Sequence, residues 1–116
     1  MAEQWKIFLY KTPLGETPVN KFILSLNLKA QSKIYKTIEL LRVYGIAVGL
    51  PHIKKLIGTE LWELRIIGSD NIRILYITLT GKTFILLHGF KKKKQKTPTK
   101  DIKIAKYRLA EYKSRT

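Results

Sequence analysis

Two strongly apolar segments joined by a very short connection constrain the fold of this chain most. Residues 72–80 and 83–90 are apolar almost without a break, and only Gly81 and Lys82 separate them. A connection of this length joins antiparallel neighbours in a β-hairpin. Strands of this composition are covered on both faces, or lie centrally in a sheet with a pair of helices on one side. The sequence therefore predicts a buried hairpin at the centre of a sheet.

Two further segments have the composition of strands. Residues 61–67 precede the hairpin and are joined to it by Ser69, Asp70 and Asn71, which are typical turn residues. Residues 4–10 (QWKIFLY) are rich in aromatic and β-branched side chains, which indicates an opening strand. Together with the hairpin, these segments predict a twisted antiparallel sheet.

Two helices are predicted between the opening strand and the others. Pro18 follows Thr17 as a first helical residue follows an N-cap, and apolar residues then recur at helical spacing at Val19, Phe22, Ile23 and Leu26. We expect Asn27 to interrupt this helix. The second helix should run over Leu28–Tyr44 and end at Gly45. Its inward face is predicted to consist of Ala30, Ile34, Ile38, Leu41 and Tyr44.

A third helix is predicted near the end of the chain. Thr97 and Pro98 are typical of a helix start, and an apolar stripe follows at Ile102, Ala105, Leu109 and Tyr112. The element order is then β, α, α, β, β, β, α. This order predicts one small α+β domain over residues 1–116, with an N-terminal helix pair and a C-terminal helix.

The chain is strongly basic. It carries 23 Lys or Arg against 8 Asp or Glu, which gives a formal net charge of +15. Residues 91–116 contain eleven of these cations but only Asp101 and Glu111 as acids, so this segment contributes +9. A charge of ~2–8 is enough for solubility. The excess, next to a predicted sheet with further arginines, favours a nucleic acid, most of all RNA, over an anionic membrane.

The composition also disfavours several classes of protein. No apolar run approaches the ~18 residues of a membrane span, the N-terminus lacks the pattern of a signal peptide, and cysteine is absent. We therefore expect a cytoplasmic protein without a membrane segment. Two histidines with scattered acids do not supply a zinc site, so neither a metal nor a cofactor is expected.

Two arginines on the predicted strands are candidate catalytic residues. Arg65 shares a strand face with Glu63, because side chains repeat every two residues, and the two form either a solvated ion pair or part of a site. Arg73 begins an otherwise apolar strand, where an unpaired guanidinium is costly to bury. It should therefore pair with Glu63 or Asp70, or face a ligand.

The end of the last strand supplies two further candidates with two possible roles each. His88 can transfer a proton near neutral pH, or it can be a hydrogen-bonded structural residue. Phe90 can stack on an unpaired base, or it can be the last core residue of its strand.

A run of lysines lies between this strand and the last helix, which makes it a positioned loop. One amine, desolvated among like charges, can have a lowered pKa and act as a general base. The others would contact phosphates and substitute for one another, so Lys92→Ala or Lys93→Ala alone should have small effects. The candidate lysines are Lys91, Lys92, Lys93, Lys94 and Lys96, together with Lys54 and Lys55 ahead of the sheet.

Several strings in this sequence resemble one protein family. They are LWELR (61–65), RILY (73–76), LLHGFKK (86–92) and QKTP (95–98), together with Ala105, Lys106 and Arg108 of the last helix. These strings are similar to the HigB-type toxins of the RelE/ParE superfamily. Those toxins are phage-derived-toxin-like proteins of bacterial type II toxin–antitoxin modules, and the resemblance covers nearly the whole chain.

The resemblance implies a ribosome-dependent, metal-independent mRNA endonuclease, neutralised by a helix-turn-helix antitoxin of the HigA type. In such enzymes the RNA 2′-hydroxyl attacks the adjacent phosphate, and basic side chains take the place of a metal. Here Arg73 would stabilise the phosphorane charge and Arg65 would orient the scissile phosphate. Protons would be transferred by His88 or by one of the lysines of residues 91–94, of which Lys91 is the expected candidate. The backbone of mRNA or ribosomal RNA would be held by Lys54 and Lys55.

Two alternative functions remain open from the sequence. A toxin of the same fold can act without catalysis by binding DNA gyrase, and it would not need Arg65, Arg73 and His88 at one end of the sheet. A basic nucleic-acid-binding protein without activity would show strongly salt-dependent binding and no cleavage.

Overall fold

The computed structural model describes residues 5–49, 51–68, 71–80, 82–93 and 95–115. Within these ranges the chain forms five β-strands and three α-helices. A 3₁₀ turn over Gly45–Val48 follows the second helix. In chain order the elements are β1 (Lys6–Leu9), α1 (Pro18–Leu24), α2 (Leu28–Tyr44), β2 (Ile53–Lys55), β3 (Trp62–Arg65), β4 (Ile72–Leu79), β5 (Thr83–Lys91) and α3 (Thr99–Ser114).

The strands form one sheet in the order β1-β5-β4-β3-β2. The predicted hairpin is its centre, where β4 and β5 pair antiparallel, and the α+β class is confirmed. The expectation of a wholly antiparallel sheet is wrong at one edge, because β1 pairs parallel to β5. No tight turn joins these two strands, so a hairpin does not fix their relative direction.

The strand β2 was not predicted from the sequence. It has only three residues, and Lys54 and Lys55 in it are exposed. A segment this short is recognisable as a strand only from its pairing with β3. Exposed lysines on a short edge strand also protect the sheet from pairing with other chains.

Both faces of the sheet are covered, which is the first of the two arrangements that the apolar hairpin allowed. Alternate residues of β4 and β5 point to opposite sides. One core lies under α1 and α2 and includes Ile23, Ile34, Ile74, Tyr76 and Phe84. The other lies under α3 and includes Leu75, Ile77, Leu87, Ala105 and Leu109. In the part of the chain that the structure describes, no helix is long and apolar enough to cross a membrane.

The ends of α2 have clear physical causes. Asn27, which we expected only to interrupt α1, is the N-cap of α2, and its Oδ1 accepts a hydrogen bond of 2.8 Å from the Ala30 N–H. Gly45 ends the helix at φ +58°, where a Cβ would lie 2.2 Å from the Trp5 ring. The inward placement of Tyr44 is wrong, since it is 56% exposed. Trp5 packs against Gly45 at this end of the core.

An irregularity in the β4–β5 pairing sets the direction of His88. Leu75 pairs with His88 but Tyr76 pairs with Leu86, so Leu87 is an extra residue in β5. Leu87 joins the core under α3, and the His88 ring contacts α3 as well. Consecutive residues therefore point to the same side, which is what a β-bulge allows.

Gly89→Ala should lower the free energy of unfolding by about 1–3 kcal/mol, the usual cost of overpacking. A Cβ at this position would lie 2.4 Å from the Phe22 ring of α1. Urea unfolding followed by circular dichroism measures the change. In a Phe22→Leu background the same substitution should cost less. An equal cost in both backgrounds would show that Phe22 does not exclude the side chain.

Candidate active site

Charged side chains gather on the α3 side of the sheet, where β4 begins and β5 ends. Arg65 of β3 pairs with Arg73 of β4 in the strand register. Lys92 follows β5, and its backbone N–H donates to the Asn71 carbonyl over 2.8 Å. We call Arg65, Arg73 and Lys92 the cation cluster. Their side chains are 24%, 15% and 10% exposed, so the cluster lies at the boundary of the core.

The carboxylate of Glu63 lies at the centre of the cation cluster and is 1% exposed. Its Oε1 is 3.1 Å from Arg73 Nε, 3.8 Å from Arg65 Nε and 3.8 Å from Lys92 Nζ. Its Oε2 accepts a hydrogen bond from the Thr97 hydroxyl. A buried carboxylate is costly unless it is paired and hydrogen-bonded, and Glu63 meets both conditions. The predicted alternative of a solvated Glu63–Arg65 pair is therefore wrong.

Arg73 is held from two sides and also reaches a cleft. Its Nε donates to Glu63 and its Nη1 donates to the Ile72 carbonyl over 2.9 Å. The cleft has a volume of about 300 Å³ and is lined by Asn71, Arg73, Lys92, Lys93 and Gln95. The sequence offered a carboxylate partner or a ligand for Arg73, and the geometry allows both. The other proposed partner, Asp70, lies outside the described residues.

Lys92 has a lowered pKa. Burial is the largest cause; Glu63 opposes the shift, and the charges of Arg73, Arg65 and Lys54 add to it. The sequence-based interpretation of a desolvated lysine in the run thus fits Lys92. Lys91, the lysine that we expected to transfer protons, is exposed. It pairs with Ile72, whose side chain belongs to the core under α1 and α2. Strand alternation therefore places Lys91 on the other face of the sheet, away from the cluster.

The remaining candidate lysines divide between the two faces. Lys54 lies opposite Glu63 in the β2–β3 register, on the side of the cluster. Lys55 pairs with Trp62 on the other side, and its Nζ donates to the Thr59 carbonyl. Lys93 and Lys96 are exposed, and Lys93 lines the cleft. Lys94 lies outside the described residues.

His88 connects β5 to α3. Its Nε2 lies 2.7 Å from Asp101 Oδ1, and its Nδ1 lies 3.1 Å from Arg108 Nη1. A guanidinium only donates, so Nδ1 must accept and the proton is on Nε2, which donates to Asp101. The ring is therefore neutral, and burial lowers its pKa. Both ring nitrogens contact side chains of α3. His88 therefore has the second of the two roles that the sequence allowed, that of a hydrogen-bonded structural residue.

Phe90 is a core residue rather than an exposed platform. It is 7% exposed, and its ring stacks on His88 with centroids 5.5 Å apart. An unpaired base cannot reach a ring buried in this way, so the core alternative holds.

Sequence reasoning missed two features of the site. It did not identify the central role of Glu63, although an acid beside strand residues as apolar as Leu61 and Leu64 is a usable signal of a buried partner. It also did not identify Thr97 as a partner of Glu63. The two residues are 34 positions apart, and no spacing rule connects them. Within the described residues, no group of three or more His, Cys, Asp or Glu side chains is placed to hold a metal ion.

The architecture is that of a RelE-like α+β domain with a cationic cleft on the face that carries α3. The structure is similar to a chain of the archaeal RelE–RelB complex from Pyrococcus horikoshii OT3, with a TM-score of 0.59 and 17% sequence identity. The match covers 78% of this chain and 97% of that chain. At this identity the likeness establishes the fold.

The sequence itself identifies the family. Residues 21–110 match the family described as phage derived protein Gp49-like, and this chain belongs to that family. The matched region contains Glu63 and the whole cation cluster. Among curated proteins, none matches the sequence. The predicted RelE-type fold is thus confirmed, and membership of the HigB type stays a prediction.

The stability of the protein should fall as the pH drops below about 6.5, because of His88. Its pKa is lowered by folding, so the unfolded chain binds the proton more readily. This contribution is therefore present above the pKa of the unfolded histidine and is lost as the pH falls from that value through the lower pKa of the folded protein. Urea unfolding at about pH 7.5 and about pH 5.5 measures it.

His88→Gln should reduce this pH dependence, and His52→Gln, at the other histidine of the chain, is the matched control. A His88→Gln protein with the wild-type pH dependence would contradict the role of His88. So would a His52→Gln protein that alone loses the dependence.

Proposed function

We propose that this protein is the toxin of a type II toxin–antitoxin module and acts as a ribosome-dependent, metal-independent mRNA endonuclease. The observation that carries the proposal is the Lys92 amine. It is desolvated, has a lowered pKa and lies beside two arginines at an open cleft. Membership of the Gp49-like family, the RelE-like fold and the resemblance to HigB-type toxins support the same function.

Each member of the cluster has a distinct role in the proposed reaction. Lys92 in its neutral form takes the proton from the RNA 2′-hydroxyl, whose oxygen attacks the adjacent phosphorus. Arg65 orients the scissile phosphate, and Arg73 stabilises the charge of the phosphorane. As the bond to the 5′-oxygen breaks, this oxygen takes a proton from water and the Lys92 ammonium returns its proton to water, which leaves a 2′,3′-cyclic phosphate, a 5′-hydroxyl and a neutral Lys92. His88 is neutral and both of its ring nitrogens are hydrogen-bonded, so it has no part in this reaction.

The formal charges of Glu63 and the cation cluster match those of the reaction. With Lys92 neutral, two arginines and the carboxylate of Glu63 sum to +1, opposite to the single negative charge of a phosphodiester. When Lys92 accepts the proton, the sum becomes +2 as the phosphorane becomes doubly negative. Stabilisation that increases in the transition state accelerates the chemical step, whereas equal binding of the ground state does not.

The lysines around the cluster supply the contacts to RNA. Lys93 lines the cleft, and Lys54 lies beside the cluster on β2. These lysines, with Lys94 and Lys96 of the same run, would bind the phosphates of mRNA and of the ribosome. Lys55 and Lys91, on the other face of the sheet, would contact ribosomal RNA.

We further propose a helix-turn-helix antitoxin of the HigA type as the partner, and the cytoplasm as the location. The similar archaeal RelE is found in a complex with RelB, which supports an antitoxin partner of some kind. The net charge of +15 suits an acidic protein partner as well as RNA.

Cleavage within codons at the ribosomal A site is the expected result when purified protein is added to an in vitro translation reaction. Primer extension of the mRNA maps the 5′ ends. Naked RNA treated with EDTA should stay intact. Arg73→Ala should remove the cuts, because it deletes the charge that faces the phosphorane. It should also destabilise the fold by about 1–3 kcal/mol, since Glu63 loses a charged hydrogen bond.

A folded wild-type protein that produces no cuts would contradict the endonuclease. Inhibition of DNA supercoiling by the same protein would then favour the gyrase toxin. Salt-dependent RNA binding without either activity would favour the basic binding protein.

The three consecutive lysines provide an internal comparison. Lys92→Met should lower the cleavage rate by about 10²–10⁴-fold, the usual contribution of a general base. Lys91→Met and Lys93→Met, matched in chemistry, should each have a much smaller effect because both residues are exposed. This replaces the expectation that a single loss at Lys92 is tolerated. Equal effects of the three substitutions on cleavage would show that the run acts only as a charged patch.

A further inference from the structure

The proposed reaction gives Glu63 no chemical step, yet its carboxylate is the most buried charge of the site. An acid placed against a phosphate-binding cluster weakens the attraction for an anion, so its presence needs a physical reason. We propose that Glu63 is a positioning residue, which holds Arg65, Arg73 and Lys92 in the arrangement that receives a phosphate. The proposal deepens the proposed function of this site and rests on it.

The two oxygens of the carboxylate have separate tasks. Oε1 faces the cation cluster, with the closest contact to Arg73 Nε at 3.1 Å. Oε2 faces the Thr97 hydroxyl, which belongs to the segment between the cleft and α3. Gln95, in the same segment, lines the cleft. Glu63 therefore fixes the cations on one side and one wall of the cleft on the other.

The arrangement needs an anion because the cations repel one another. Arg65 and Arg73 are direct neighbours across β3 and β4, and the Lys92 amine lies 3.8 Å from the same carboxylate oxygen. The Arg65 Nε is buried and forms no hydrogen bond within the part of the chain that the structure describes. Its charge is thus balanced by Glu63 at 3.8 Å without a hydrogen bond. Without the carboxylate, these long side chains would separate and gain rotamer freedom.

The geometry of Arg73 shows what positioning achieves. Its Nε is bound by Glu63 and its Nη1 by the Ile72 carbonyl, so the plane of the guanidinium is fixed. Among the described residues, the remaining edge is the part available to the cleft that Arg73 lines. A planar donor held in this way recognises a phosphate through paired hydrogen bonds. A displacement of ~1 Å at such a group costs on the order of 10²-fold in rate.

Glu63 also adjusts the proton affinity of Lys92. Burial and the neighbouring cations lower the pKa of the amine, and the carboxylate raises it in part. Removal of the negative charge should therefore lower the pKa of Lys92 further. This effect is separate from positioning, and the two can be measured independently.

The test compares Glu63→Gln with Glu63→Asp in phosphate binding. Gln keeps the size of the side chain and removes its charge, whereas Asp keeps the charge and shortens the side chain. Inorganic phosphate is titrated into ¹⁵N-arginine-labelled protein, and the Arg65 and Arg73 Nε signals are followed by NMR. Both variants should bind phosphate at least about tenfold more weakly than the wild type. For Glu63→Gln this is opposite to the electrostatic expectation, because the variant is more positive.

The titration of Lys92, followed by NMR of labelled lysine side chains, separates charge from position. The pKa of Lys92 should fall in Glu63→Gln and stay near that of the wild type in Glu63→Asp. Glu63→Asp should nevertheless cleave RNA more slowly than the wild type. Glu60→Gln is the matched control, since Glu60 is an exposed acid that pairs with Lys113 at 2.9 Å on the surface. It should change none of these quantities.

Tighter or unchanged phosphate binding by Glu63→Gln would overturn the proposal. Full cleavage by Glu63→Asp would also overturn it, because charge alone would then be sufficient. If the Glu63 variants do not fold, a measurement on the wild type still tests the proposal. The Arg73 Nε–H should exchange slowly with solvent, and less slowly in Thr97→Val, and fast exchange in the wild type would contradict positioning by Glu63.

Failure of the proposed function gives a different pattern. A wild-type protein that cuts no mRNA on the ribosome, while Glu63→Gln binds phosphate more weakly, would exclude the endonuclease and retain the positioning role. Cleavage by the wild type together with undiminished phosphate binding by Glu63→Gln would retain the endonuclease and exclude the positioning role.

Discussion

The site depends on one buried carboxylate that the cations of three separate chain segments share. Glu63 is on β3, Arg73 is on β4 and Lys92 follows β5, so their contacts connect the strands where the sheet ends. Burial of such a charge is tolerated only with complete pairing, and the cations in turn need the carboxylate to stay close together. Thr97 extends this dependence to the segment that leads into α3. The same contacts thus stabilise the fold and organise the cleft.

The double covering of the sheet decides which charges belong to the site. The helices α1 and α2 take one face and α3 takes the other, so strand alternation assigns each side chain to a core or a cleft. Lys91 and Lys92 are adjacent in sequence and differ in face and burial for this reason, and burial lowers the pKa of Lys92. The bulge in β5 directs His88 to α3, where Asp101 and Arg108 hold it neutral. The RelE-like fold therefore supports a cationic site without a histidine at its centre.

Much of the fold could be predicted because its signals are local. The uninterrupted apolar segments of β4 and β5 predicted a central hairpin, covered on both faces or by a helix pair on one, and the bounds of α2 followed from its apolar period and Gly45. The apolar stripe of α3 likewise predicted the helix and its buried side. The parallel edge β1 and the short β2 could not be predicted, because no turn determines the direction of the first and three residues give no period for the second.

The sequence by itself determined the chemistry available, which is a large excess of fixed cations with arginines on a buried sheet. It could not determine which lysine is desolvated, because neighbours in a run differ only once strand register assigns each a face. It could not pair Glu63 with Thr97 or His88 with Arg108 either, since these contacts join residues distant in the chain. Tertiary structure decided which lysine is desolvated and which of these residues meet. Proton affinity and the direction of a donor depend on burial and on nearby charges, and only the folded chain brings these together.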